Sequence, residues 1–206
     1  MHWREFIRNI VALWNGQRFL FPYPNTKLLR IYGSIRVEGR KANIEFGRKV
    51  KLKQGCVVVL SDQRRDSELV LGDNAIVEYG AYLNVHHGSI ILSSNTFVGA
   101  HSVLLGKGGI VLSPWVMLGP GVRVFSSDHD IWSYQEHYLG APEIKGKIEI
   151  QENVWVGSGA TILKNSTIAR GCVVAAGSVI KGNISDNTLV AAPGILAKPV
   201  RNIQYD

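Results

Sequence analysis

Cysteine is nearly absent from this sequence: two residues, Cys56 and Cys172, in a chain of 206. They lie far apart, with no C-x-x-C spacing, which excludes a disulfide framework and speaks against a metal cluster. Two such thiols are expected to serve as small buried hydrophobes. Charge is also scarce, 19% of residues against a norm of about a quarter. Leucine is outnumbered by the β-branched aliphatics, 18 against 41 Val and Ile, the reverse of what builds helical bundles. No apolar run approaches the roughly 18 residues of a membrane helix. No charged, apolar and cleavage-site regions follow one another at the start of the chain, so a cytoplasmic protein is the expectation. Low-complexity tracts are missing, and 46% hydrophobic residues are too many for a disordered chain.

Present in their place are valine, isoleucine and 22 glycines, which together indicate β-structure with many tight turns. The net charge of +7 is unevenly placed. Residues 1–65 hold 14 Lys/Arg and 4 Asp/Glu, a net of +10, and the remainder holds 9 and 12, a net of −3. The N-terminal third therefore suits an acidic partner, a polyanionic substrate or a membrane surface.

A six-residue ruler runs through the chain. Ile150, Val156, Ile162, Ile168, Val174 and Ile180 follow it without a gap. Upstream it fits in blocks of three: Phe46, Leu52, Val58; Leu71, Val77, Leu83; Leu92, Val98, Leu104; and Leu112, Leu118, Val124. Six is neither a helical period nor a strand alternation. It marks a solenoid whose coil has three flat faces, each hexad giving a short strand and a corner, with the aliphatic marker turned inward. The gaps between blocks exceed the ruler by seven residues after Val58, three after Leu83, two after Leu104, twenty after Val124 and none after Ile162. Every insertion follows the third marker of a block. All of them are therefore expected to leave from one corner of a triangular prism of about six coils.

The first 30 residues do not follow the ruler. Trp3, Phe6, Ile7, Ile10, Val11 and Trp14 form a helical apolar stripe that stops at Asn15-Gly16, and Pro22 and Pro24 mark an extended link. The expected organisation is a short amphipathic helix and arm over 1–30, then a β-helix domain over 31–206 with a loop at 125–147 and a C-terminal tail. The helix would dock on the first coil or a neighbouring subunit, or contact a membrane surface through residues 3–14.

The hexads resemble those of the hexapeptide-repeat acyltransferases, which fold as left-handed parallel β-helices. The resemblance covers roughly residues 44–201. Its most specific stretches are Asn153-Val154-Trp155-Val156-Gly157-Ser158-Gly159-Ala160-Thr161-Ile162-Leu163 and Ala175-Ala176-Gly177-Ser178-Val179-Ile180, which look like the maltose/galactoside O-acetyltransferase branch. The resemblance implies an all-β enzyme, a homotrimer with active sites between subunits, acetyl-CoA as co-substrate, a carbohydrate acceptor and a loop histidine as general base. Neither a metal nor a nucleic-acid partner is expected. The γ-type carbonic anhydrases share the β-helix, but their H-x4-H zinc spacing is missing here.

His129, in Ser126-Ser127-Asp128-His129-Asp130, opens the twenty-residue insertion. A loop histidine on a rigid scaffold is well placed for chemistry, and imidazole changes charge near neutral pH. Transfer of acetyl to a hydroxyl requires such a base. Asp128, Asp130, Glu136 and Glu143 are candidates to hold the imidazole's other nitrogen, Glu143 preferred because it lies where the chain returns to the prism. By resemblance, Trp155, Gly157, Ser158 and Ala176 line the acetyl and pantetheine end of the co-substrate. Lys181, Lys198 and Arg201 would reach its phosphates by charge. Asn84, His101 and Asp128 are assigned to the acceptor side, with His86 and His87 on the same looped edge. Three departures stand out. The tail Ala191-Ala192-Pro193-Gly194-Ile195-Leu196-Ala197-Lys198 is longer than the family's, Ala100 and His101 fall where an acceptor-binding Asn is usual, and the sugar enzymes' helical N-terminal module is not recognisable.

The expected function is acetylation of a sugar hydroxyl, on a cell-surface polysaccharide or its precursor, by an enzyme that is cytoplasmic or peripheral to the inner membrane face. N-acetylation of an amino sugar is the alternative within the same chemistry. A non-catalytic β-helix is the alternative outside it, although five threonines are too few for the ordered ranks of an ice-binding face.

Overall fold

The computed structural model describes residues 42–62, 67–132 and 137–191, together with strand segments 12–14, 17–19, 30–31, 34–39 and 198–199. It is a parallel β-helix of about six coils, and its three faces are parallel sheets. On face 1, Phe46, Leu71, Leu92, Leu112, Ile150, Ile168 and Ile184 stand in register. Face 2 aligns Leu52, Val77, Val98, Leu118, Val156, Val174 and Val190. Face 3 aligns Val58, Leu83, Leu104, Val124, Ile162 and Ile180. Every marker of the six-residue ruler from Phe46 to Ile180 is buried. One coil cannot cover its own apolar side, so the stack as a whole makes the core.

A second inner rank fills the corners with smaller side chains. Val50, Ala75, Thr96, Val116, Val154 and Cys172 precede face 2, and Cys56, Ala81, Ser102, Val122, Ala160 and Ser178 precede face 3; all are buried. The two cysteines are thus free thiols doing what alanine, valine and serine do in other coils. Burial pushes both thiols above their ordinary range.

The corners turn through left-handed residues. Between faces 2 and 3 the rank is Gly55, Gly80, His101, Gly121, Gly159 and Gly177, all at positive φ. Between faces 1 and 2 it is Lys49, Asn74, Asn95, Trp115, Asn153, Gly171 and Asn187. Glycine and asparagine tolerate this conformation; lysine, histidine and tryptophan do so at a cost. Among these ranks Lys49, His101 and Trp115 are the exceptions.

The coil stack continues past the ruler at both ends. Ser34–Gly39 pairs in parallel with Val57–Asp62, and Ala12–Trp14 pairs in parallel with Ser34–Gly39 and antiparallel with Gln17–Phe19. This corrects the end of the expected N-terminal helix: positions 12–14 are strand, and Asn-Gly is also the strongest two-residue hairpin signal. The rest of that helix, residues 3–11, lies outside the described residues. Among the described residues no helix is long and apolar enough to cross a membrane.

Candidate active site

All of the described insertions leave from the corner between faces 3 and 1. Coil 2 turns there through His86-His87-Gly88, coil 3 through Gly106-Lys107-Gly108-Gly109, and coil 4 through the long insertion. That insertion begins and ends as a two-stranded antiparallel ribbon, Ser127–His129 against Glu143–Lys145, separate from the three sheets. At its base Gly146 N donates to Ser126 O at 2.8 Å, while the buried Ser126 hydroxyl donates to Leu105 O at 2.7 Å and accepts from Gly108 N at 2.8 Å. At its far end Asp130 N donates to Pro142 O at 2.7 Å.

His129 is exposed on this ribbon, and its Nδ1 lies 3.0 Å from Ala141 O. A carbonyl can only accept, so Nδ1 carries the proton and Nε2 presents its lone pair outward. The role expected of a carboxylate is thus taken by the backbone. Glu143 does sit directly opposite His129 in the ribbon, but its carboxylate pairs with Lys107. Asp128 accepts from the His129 amide at 2.9 Å and faces Lys164 at 3.4 Å. Asp130 accepts from the Trp132 amide at 3.0 Å. Glu136 lies outside the described residues.

The residues assigned to the co-substrate divide between edges. Trp155 is half exposed at the start of its face 2 strand. Gly157, Ser158 and Ala176 follow at the corner between faces 2 and 3. A Cβ on Gly157 would stand 2.5 Å from Ala176 N, so only glycine lets these coils approach. The turns leave the N–H groups of Ser158 and Ala176 without an acceptor among the described residues, two donors on one exposed edge. Lys181 lies on the other edge, exposed, one coil beyond Lys164. Lys198 is in a strand antiparallel to Thr188–Val190 at the end of face 2, and Arg201 lies outside the described residues.

Nor are the acceptor candidates gathered in one place. The Asn84 amide is occupied locally: its Nδ2 donates to the Tyr82 hydroxyl at 3.1 Å and its Oδ1 accepts from His86 N at 3.0 Å. His101 lies at the corner between faces 2 and 3 with its ring over Gly80, where an added Cβ would stand 2.5 Å from Nδ1. His86 is half-buried with its charged form disfavoured, first by desolvation and then by Lys107 and His87. Sequence reasoning missed Lys107, Lys164 and Ala141. The first two were findable, since the ruler puts both at the looped corner, one coil before and one coil after the His129 ribbon.

Comparison with known proteins agrees with this architecture. Residues 147–182 match the bacterial transferase hexapeptide (six repeats) family. Galactoside O-acetyltransferase of Lactococcus lactis is 27% identical over 128 residues, 62% of this chain and 61% of that protein. Among solved structures, a point mutant of AntD, an N-acyltransferase from Bacillus cereus, in complex with dTDP and coenzyme A, superposes with a TM-score of 0.64 at 17% identity, over 75% of this chain and 82% of that one. Putative acetyltransferase YJL218W of Saccharomyces cerevisiae is 30% identical over 162 residues, 75% of this chain and 80% of that protein. With that extent of identity and the hexapeptide match, the chain belongs to the hexapeptide-repeat acyltransferases, of the maltose/galactoside O-acetyltransferase type.

Proposed function

We propose that the chain is an acetyl-CoA-dependent O-acetyltransferase of a sugar hydroxyl, on a cell-surface polysaccharide or its precursor, with His129 as general base. The observation that carries this reading is the hydrogen bond from Nδ1 to Ala141 O, which leaves Nε2 free to accept a proton. In the proposed step Nε2 takes the hydroxyl proton as the sugar oxygen attacks the thioester carbonyl. The C–S bond then breaks, and the imidazolium returns the proton to the departing thiolate. The exposed amide of Ser158 or Ala176 would stabilise the oxyanion formed in between. The net charge of +10 over residues 1–65 suits an anionic acceptor or its lipid-bearing precursor.

The proposed site is completed between chains. His129 projects from the corner between faces 3 and 1, whereas Trp155, Ser158 and Ala176 belong to face 2 and the far corner, so one prism cannot bring them together. The outer surfaces suggest how three prisms would. Phe97, Met117 and Trp155 occupy neighbouring rungs outside face 2, and Val70, Ile91 and Val111 do so outside face 1. Their shared corner carries Trp115, 60% exposed, beside a groove of about 860 Å³ lined also by Phe97 and Met117. A threefold axis along that corner would pack face 1 of one chain on face 2 of the next. It would also bring the His129 edge of the first against the Ser158 edge of the second.

The test is release of CoA thiol from acetyl-CoA over a panel of galactosides, amino sugars and acidic glycans. His129→Ala should lower the rate by about 10²- to 10⁴-fold. No release across the panel, or an unchanged rate in His129→Ala, overturns the proposal. Mild alkali removes an ester and spares an amide, so an alkali-stable product would assign N-acetylation instead.

A further inference from the structure

We infer that Lys107 and Lys164 are positioning residues that clamp the His129 ribbon between two coils, and that Lys107 also screens the imidazole from Glu143. This rests on the reading of His129 as the base. An isolated two-stranded ribbon is marginally stable by itself, and this one has only three paired positions on each strand. Directly paired residues of an antiparallel ribbon share a face, so His129 and Glu143 project together and Asp128 projects from the opposite side. Lys107, from the corner of coil 3, takes Glu143 on the first side. Lys164, from the corner of coil 5, takes Asp128 on the second at 3.4 Å. Each strand of the ribbon is therefore tied to a different neighbouring coil.

The lysines are the sheltered members of these pairs. The Lys107 and Lys164 side chains are 22% and 16% exposed, against 34% and 67% for Glu143 and Asp128. Shelter reduces the solvent screening that makes open surface pairs weak. Among the described residues the charged groups of the ribbon and its flanking corners are Asp128 on the His129 strand and Asp130 just after it, Glu143 and Lys145 on the partner strand, and Lys107 and Lys164 from the neighbouring coils. Removing Lys107 leaves the Glu143 carboxylate uncompensated on the imidazole's side, which favours the imidazolium. Loss of the clamp and loss of the screen thus have separate signatures.

Both are read on the intact protein without any acceptor. Amide hydrogen exchange follows residues 127–129 and 143–145, and the His129 ring resonance, assigned with His129→Gln, is followed against pH. Lys107→Gln should speed exchange in the ribbon about tenfold while coils 5 and 6 are unchanged, and move the ring's titration to higher pH. The double variant Lys107→Gln/Glu143→Gln should keep the fast exchange but restore the titration, Lys107→Arg should restore both, and Lys164→Gln should speed exchange alone. The inference is overturned if Lys107→Gln leaves either the exchange or the titration unchanged, or if the coils loosen as much as the ribbon. A variant His129→Ala that still releases CoA at the normal rate would remove the general-base reading and leave the clamp standing, so the two failures are distinguishable.

Discussion

The interior of the prism and its looped corner are built by different forces. Inside, identity hardly matters beyond size and apolarity: Leu, Ile and Val exchange along the ladders, and Val, Cys, Ala, Ser and Thr exchange along the corner ranks. At the looped corner identity decides everything, because a ribbon of six residues is held by two ion pairs, a buried serine and one carbonyl. The interior supplies stiffness through burial, and the corner uses that stiffness to hold one imidazole in one tautomer.

The largest expected effect separates the two directly. Leu104 is fully buried on face 3, in the coil that carries Lys107 at its corner. Leu104→Ala should lower unfolding free energy by about 2–5 kcal/mol, while Lys107→Gln should change it by less than about 1 kcal/mol. Chemical denaturation of both variants checks this. Comparable losses would mean that the corner belongs to the same cooperative unit as the ladders.

Gly157 sharpens the comparison because it belongs to both regions. Its missing side chain lets coil 6 approach, and the same approach places the Ser158 and Ala176 amides side by side. Gly157→Ala sets a methyl 2.5 Å from Ala176 N, so the backbone must shift at about 1–3 kcal/mol. The variant should bind CoA at least tenfold more weakly by calorimetry while remaining folded. Unchanged affinity would remove this corner from the co-substrate site.

Trp115 tests whether an exposed corner can be set against its own coil. Asparagine is the residue that neighbouring coils place there, and a left-handed tryptophan costs about 1 kcal/mol. Trp115→Asn should therefore raise the melting temperature of dilute, dissociated protein and weaken self-association in sedimentation. Association that persists unchanged would place the threefold contact elsewhere.

The ladders were legible in the sequence because burial imposes a period, and a period survives exchange of one aliphatic for another. Even the common corner of the described insertions followed from counting past the third marker. The place of His129 at the start of the long insertion was legible from counting past Val124, while its proposed role as base came from resemblance. What holds the ring was not legible: Ala141 acts through its carbonyl, which no side chain advertises, and Lys107 and Glu143 meet across 36 positions of chain. Among four candidate carboxylates, charge and spacing alone had no means of showing that Glu143 would face a lysine. The helical reading of positions 12–14 failed for another reason, since an Asn-Gly dipeptide ends helices and closes hairpins equally well.

The smallest effect probes how far the corner's positive charge extends. His86 sits at the looped corner of coil 2 at φ 51°, and desolvation, then Lys107, then His87 hold its imidazole below the ordinary range. Between the folded and the ordinary value the unfolded chain takes up a proton that the folded chain refuses, so stability rises with pH in that window. Stability present above the ordinary imidazole range is accordingly lost as pH falls from there to the folded value. His86→Asn removes the titrating group and keeps a residue suited to a left-handed turn. The drop in melting temperature between about pH 7.5 and about pH 5 should shrink by roughly 1–2 °C in this variant. In Lys107→Gln it should shrink by less, since desolvation is the larger cause and remains in place. Parallel melting curves for His86→Asn and the unaltered protein would overturn the His86 shift itself, whereas parallel curves for Lys107→Gln and the unaltered protein would show that the charge of Lys107 is spent on Glu143 and does not reach the coil before it.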